Sequence, residues 1–353
     1  MALVAGPQDT TLDRNSLDAL RRVFDIPLLV ALAFALFAVG IWLAVVEAGV
    51  MRVSLARILA VQHHLETGGG PRGGVAVLGS SVVVEGVDCA VLRAQLRPAA
   101  PCENLAWTGG DLRQWLLIQP ALRRSPPAVL VLGLDLFTLL DPTPIPADRL
   151  ALAGWWEFVP GSDLPELAHS LSAVERAILL APRATQLLRF RSFPLGALNE
   201  HFREVARADL RYDGYVENFE APWLRRAPAS PEAMQKHLEQ TARRIHTGGL
   251  ERLPETQQIL EILIKRVRTS HPETRVVLVL TPIHPHLARM LGPDTLDALR
   301  RSLDMEARRL EAHFLDHSAS LGADGFSDAV HPFADGRGAW SIQLGEGIAS
   351  LTL

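Results

Sequence analysis

Val75-Ala76-Val77-Leu78-Gly79-Ser80-Ser81 is an apolar run that stops abruptly at three small residues. Four consecutive apolar residues closed by small residues read as a strand buried on both faces, the kind found inside a parallel sheet. A hydroxyl at the end of such a strand emerges at the carboxyl edge of the sheet, where open α/β folds hold their ligands. Far downstream, Asp328-Ala329-Val330-His331 follows the turn-rich Gly322-Ala323-Asp324-Gly325-Phe326-Ser327 and leads into a C-terminal helical segment. The two polar residues there are close enough in sequence to point into one cleft.

Working outward, further short apolar runs are separated by much longer segments, which argues for parallel strands joined by helical crossovers. Asn104–Trp107 is expected as the second strand, Ala128–Leu134 as the third, Arg275–Thr281 as the fourth and His313–Leu315, ending at Asp316, as the fifth. A helix is expected from Pro254-Glu255 to about Thr269, because Ile259, Leu260, Leu263 and Val267 repeat at helical spacing. The interval of about 141–253 is too long for a simple crossover and reads as a large helical insertion, placed over the catalytic edge or docked on another protein or the membrane. Asp141-Pro142-Thr143-Pro144-Ile145-Pro146 makes its entrance stiff, and Ser230-Pro231-Glu232 starts a helix with serine as N-cap and proline at the first helical position.

The chain has 353 residues and a formal net charge of −4. That length supports a substantial core, and the charge balance lacks the basic field that nucleic-acid binding needs. Nucleic acid is therefore not expected as a partner. Ile26 to Val46 is broken only by Pro27 and Gly40, and at about 1.5 Å per residue a stretch of this length spans about 30 Å, a bilayer core. It reads as a single transmembrane helix; a cleaved signal peptide is the alternative, disfavoured because signal cores run about 7–15 residues. The Arg21-Arg22 pair ahead of it favours an inside N-terminus. The expected order is a cytoplasmic leader over 1–25, a membrane helix over 26–48, a stalk over 49–72 and an α/β domain over 73–353. Cys89 and Cys102 are the only cysteines; two buried thiols are the default reading and one disulfide the alternative.

Serine is a poor nucleophile until a base removes its proton, and a histidine base works best when a carboxylate fixes its tautomer. Ser81, His331 and Asp328 are those three residue types, with Ser80 as the runner-up nucleophile and substrate-binding candidate. Their order, serine after the first strand and Asp-x-x-His near the C-terminus, resembles the SGNH hydrolase superfamily of GDSL-like esterases and acyltransferases. Gly79-Ser80-Ser81 is similar to that family's Gly-Asp-Ser block, and Asn104-Leu105-Ala106-Trp107-Thr108-Gly109 to its Asn-Leu-Gly-x-Ser-Gly turn. The resemblance runs from Val75 to about Leu353 with the insertion unmatched. It implies a flavodoxin-like three-layer α/β fold around a central parallel sheet, with an oxyanion held by the backbone N–H groups of Ser81 and Gly109.

Where the family has Gly-x-Asn-Asp after strand three, this chain has Gly133-Leu134-Asp135-Leu136. Asp135 thus occupies the position of the asparagine that donates to the oxyanion, and a carboxylate aimed there opposes the transition state. The Gly-Ser-Ser block, the N-terminal apolar segment and the insertion resemble envelope-associated members, the DltD-like and exopolysaccharide O-acetylation proteins. The implied activity is a membrane-anchored serine esterase or acyltransferase acting on acetyl or other acyl esters of an envelope or secreted glycan. The implied location is the bacterial inner membrane with the domain in the periplasm, and an integral-membrane acyltransferase is a partner candidate. A catalytically degenerate scaffold in a polysaccharide complex is the second reading, raised by Asp135. His284 and His286, in Thr281-Pro282-Ile283-His284-Pro285-His286, are read as lining the pocket; two histidines without a third ligand make a poor metal site, so neither metal nor cofactor is expected. Trp155, Trp156 and Trp223 in the insertion are candidates for stacking on sugar rings, for cap packing or for interface anchoring.

Overall fold

The computed structural model describes residues 54–96, 100–141, 218–222 and 228–351. The apolar segment over 26–48, the leader, most of the insertion and its three tryptophans lie outside the described residues. Among the described residues, no helix is long and apolar enough to cross a membrane.

In chain order the elements are α1 (Ser54–Glu66), β1 (Val75–Leu78), α2 (Ser81–Gly86), α3 (Cys89–Ala94), β2 (Cys102–Asn104), α4 (Leu112–Leu122), β3 (Val129–Leu134) and α5 (Leu136–Leu140). They continue with α6 (Pro231–Gly248), α7 (Leu253–Ser270), β4 (Arg275–Leu280), α8 (Pro285–Leu291), α9 (Pro293–Arg309), β5 (His313–Asp316) and α10 (Ala334–Leu351). The five strands form one sheet in the order β2-β1-β3-β4-β5, and every pairing is parallel. This is the doubly wound, flavodoxin-like order, with the switch point between β1 and β3.

The strand sequences explain the layers. Ala76 and Leu78 of β1, Leu130, Leu132 and Leu134 of β3, and Val276, Leu278 and Leu280 of β4 face one core, while Val75, Val77, Val129, Val131, Val277 and Val279 face the other. Successive side chains of a strand point to opposite faces, so a run such as Val-Leu-Val-Leu serves both layers at once. The first layer is closed by α1, α4, α6, α7, α8 and α9, and the second by α2, α3 and α10. At Gly79, immediately after β1, an added Cβ would lie 2.4 Å from the Val83 Cβ. Only glycine lets α2 settle that close to the sheet, and this sets where Ser81 stands.

Four expectations from the sequence need correction. The second strand is Cys102–Asn104 and ends where Asn104–Trp107 was to begin. Asn104 turns its side chain inward, donating to the Val83 and Val87 carbonyls at 3.0 Å and accepting from the Ala106 N–H at 3.1 Å, so the chain leaves the ladder there. The stalk is also no free spacer, because Ile58, Val61 and Leu65 of α1 are buried in the core. Arg57, fully buried, donates to the carbonyls of Ala106 at 3.2 Å and Asn218 at 2.9 Å and to that of Asn104.

The third correction concerns the cysteines. Cys89 and Cys102 form a disulfide with Cα atoms 5.4 Å apart. The helix that starts at the first cysteine, α3, spans only Cys89–Ala94, and β2 begins at Cys102, so the helix does not hold the pair apart. Last, the final helix assigned to the insertion belongs to the domain's own layer: Leu238, Ala242 and Ile245 of α6 join the core. Its start is as expected, with the Ser230 hydroxyl accepting from the Ala233 N–H at 3.2 Å and Pro231 in the first turn.

Candidate active site

The carboxyl ends of β1 and β3 each pass directly into a short helix, and each helix is capped by a polar side chain. Ser80 is the N-cap of α2; its hydroxyl accepts from the Val82 N–H at 3.2 Å and donates to Asp135 Oδ2. Capping commits Ser80 to the backbone. Ser81, the next residue, keeps its hydroxyl for other work and stands half-buried at the first helical position.

That hydroxyl meets His331. The distance from Ser81 Oγ to His331 Nε2 is 2.9 Å, and Nδ1 of the same ring lies 2.8 Å from Asp328 Oδ2. The carboxylate also accepts the Val330 and His331 N–H groups at 2.9 Å, so the loop is wound around it and the ring can present only one face. Burial works against ionisation of Asp328, yet the hydrogen bonds from the His331 ring and from the two backbone N–H groups hold its carboxyl well below the usual carboxylate range. An ionised Asp328 fixes the proton of neutral His331 on Nδ1 and leaves the Nε2 lone pair facing Ser81.

A cavity of about 380 Å³ opens beside Ser81 and His331 and reaches Gly109 and Asp135. Gly109 has φ +72°, in the left-handed region where a Cβ is strained. Its N–H and that of Ser81 meet no acceptor among the described residues. Asp135, directly after β3, is buried and caps α5: its Oδ1 accepts from the Phe137 and Thr138 N–H groups at 2.8 and 2.9 Å. The Thr138 hydroxyl donates to Oδ2 at 3.1 Å, and Ser80 donates to the same oxygen. Asp135 is thus the acceptor in four hydrogen bonds, turned toward the starts of α2 and α5.

The two histidines expected in the pocket do not line this cavity. His284 is buried as the N-cap of α8, its Nδ1 accepting from the His286 N–H at 3.1 Å, and its ring lies 5.1 Å from that of Phe326. Burial, reinforced by His286, brings its pKa down to about 4 against the opposing pull of Asp328. His286 is exposed and meets His284 edge-on at 5.3 Å. The proline that follows His284 starts a helix, and the histidine is used as its cap.

Sequence reasoning missed the far wall of the cavity. Arg113 pairs with Glu255 at 2.7 Å, Arg252 pairs with the same carboxylate at 2.8 Å, and Arg244 pairs with Asp141. The Arg244 guanidinium also sits 5.1 Å from the centre of the Phe137 ring. These residues come from α4, α5, α6, α7 and the turns beside them, and no local spacing signals that they converge. Glu85 was also missed, although it lies one helical turn beyond Ser81; it is buried, with its Oε1 3.9 Å from His331 Nε2.

No family model and no curated relative matches the chain. Among solved structures it aligns with Est24, a carbohydrate acetylesterase from Sinorhizobium meliloti, at 11% identity and a TM-score of 0.36, over 79% of this chain and 100% of that one. It also aligns with a protein provisionally assigned as a GDSL-like lipase from Parabacteroides merdae, at 12% identity and a TM-score of 0.38, over 79% of this chain and 97% of that one.

Proposed function

We propose that this protein is a serine esterase or acyltransferase of the SGNH type, acting on acyl esters of a glycan. The observation that carries the reading is the unbroken hydrogen-bonded chain Ser81–His331–Asp328, at 2.9 and 2.8 Å, at the edge of a cavity large enough for a sugar ester. His331 Nε2 takes the Ser81 proton as Oγ bonds to the ester carbonyl carbon, and the negative charge collects on the carbonyl oxygen. The N–H groups of Ser81 and Gly109 receive that oxygen. As the ester C–O bond breaks, the Nε2 proton passes to the leaving alkoxide, and the acyl-serine then gives its acyl group to water or to a second hydroxyl by the reverse sequence.

Arg113, Arg244, Arg252, Asp141 and the Phe137 ring line the cavity, a mix of charged groups and an aromatic ring that fits a polyol better than a lipid tail. A Cys89–Cys102 disulfide favours an oxidising compartment, and the apolar segment over 26–48 favours a tether to the membrane from which the domain is exported. Transfer to a glycan would place an integral-membrane acyl donor among the partners.

The test is labelling of the full-length chain by a fluorophosphonate, with acetate release from an acetylated polysaccharide measured in parallel. Wild type is expected to label and Ser81→Ala is not. Folded wild type that neither labels nor releases acetate would instead establish the non-catalytic scaffold.

A further inference from the structure

The His331 ring has a carboxylate on each side. Asp328 holds Nδ1, and Glu85 Oε1 lies 3.9 Å from Nε2, beyond a hydrogen bond in the resting arrangement but close enough for its charge to act. Glu85 is 1% exposed, so its field on the ring is weakly screened. Its placement follows from α2: residues four apart share a helical face, and Glu85 stands one turn behind Ser81 on the face that looks toward His331.

We infer, resting on the esterase reading above, that Glu85 is a positioning residue for His331, a second buried carboxylate that stabilises the imidazolium formed when Nε2 takes the Ser81 proton. In the resting state Nε2 is engaged with Ser81 Oγ. Once that oxygen is bonded to the acyl carbon, the new Nε2–H has a negative charge beside it until the leaving group accepts the proton. No bond to Glu85 forms or breaks, and no proton passes to it.

The charged and titratable groups around this centre can be named element by element. From α2 come Ser81 and Glu85, and from the loop that precedes α10 comes Asp328. From α10 comes Arg337, buried, whose charge is felt by both Glu85 and Asp88 and whose Nε is 3.7 Å from Asp88 Oδ2. Arg337 also donates to the Pro222 carbonyl at 3.1 Å and the Val87 carbonyl at 3.3 Å, which holds it near the end of α2, where it is a counter-charge to Glu85. From the loop after β4 comes His284, which interacts with Asp328 and is neutral above a pH of about 4.

A carboxylate beside an imidazole raises its pKa, so removing the charge lowers it. Glu85→Gln is expected to move the acid limb of the kcat/KM profile of the full-length chain to lower pH by about one unit, and to lower the plateau about tenfold. Glu85→Asp should fall between that variant and wild type. The His331 titration is followed independently in full-length protein carrying ¹³C-labelled histidine, its resonance identified by loss in His331→Gln. A His331 titration that moves down in Glu85→Gln supports the inference even if no ester is hydrolysed, in which case the esterase reading alone fails. Activity with an unmoved acid limb and an unmoved His331 titration in Glu85→Gln would falsify it. Should Glu85→Gln not fold, an unmoved titration in Glu85→Asp overturns it equally.

Discussion

Ser80 and Asp135, 55 residues apart, are joined by a hydrogen bond from the serine hydroxyl to Oδ2, and each is the N-cap of the helix that follows its strand. The caps of α2 and α5 are therefore one unit spanning the switch point of the sheet. Removing either member loosens the two helix starts together, while the neighbouring Ser81 is not part of the unit.

Ser80→Ala is accordingly expected to cost about 1–2 kcal/mol of stability, the usual range for a lost N-cap, while retaining serine-directed labelling. Ser81→Ala should leave stability within about 0.5 kcal/mol and lower ester hydrolysis by about 10³-fold or more. Urea denaturation and fluorophosphonate labelling of the two variants check this. Labelling that disappears in Ser80→Ala and persists in Ser81→Ala would reverse the assignment of the nucleophile.

Asp328→Asn keeps an oxygen for the Val330 and His331 N–H groups but can no longer hold the Nδ1 proton in place. The expected outcome is a fold of near wild-type stability with kcat lower by about 10²-fold to 10⁴-fold. Thermal melts and initial-rate kinetics on one preparation separate the two effects. Comparable loss of Tm and of kcat would assign Asp328 to the loop alone.

The strand pattern made the fold legible. Alternating Val and Leu in β3 and β4, buried on both faces, placed the parallel sheet and most of its strands within a residue or two. The Ser81, Asp328 and His331 positions were legible because a strand end and a turn-rich loop leave few uses for such side chains. What escaped was everything fixed by long-range packing. Arg57 reads as a surface charge until the Asn104, Ala106 and Asn218 carbonyls are seen to surround it. His284 caps α8 and does not line the cavity beside Ser81, and an N-cap and a ligand-binding histidine look alike in sequence; the Cys89–Cys102 pairing depended on how short α3 is.

His284 carries a pH signature. Its pKa falls from 6.5 to about 4 on folding, so between those values the unfolded chain binds the additional proton and acidification favours unfolding. Stability contributed by neutral His284 is complete above about 6.5 and declines as the pH falls toward about 4, because a protonated Nδ1 would point its N–H at the His286 N–H. His284→Asn, which retains a capping oxygen, is expected to flatten the dependence of Tm on pH across that window. An unchanged slope would place the sensitivity elsewhere.

The Cys89–Cys102 bridge closes a short loop with a sequence separation of 13. A crosslink of that size stabilises by about 2–4 kcal/mol, chiefly by restricting the unfolded chain. The double variant Cys89→Ala, Cys102→Ala should lose stability in that range without loss of ester hydrolysis, read as a lower urea midpoint at unchanged rate. A fall in kcat out of proportion to the stability loss would mean that the bridge also sets the geometry around Ser81.

The insertion of α1 into the core bears on how the protein can be shortened. Met51 to Leu353 forms one compact unit, although Gly68-Gly69-Gly70-Pro71 looks like the natural place to cut. A truncation beginning there would remove Ile58, Val61 and Leu65, each worth about 1.5–3 kcal/mol when fully buried, and would leave a greasy slot along the sheet layer. A shortened version lacking residues 1–50 must therefore retain α1 whole, and one that starts at the glycines is expected to aggregate.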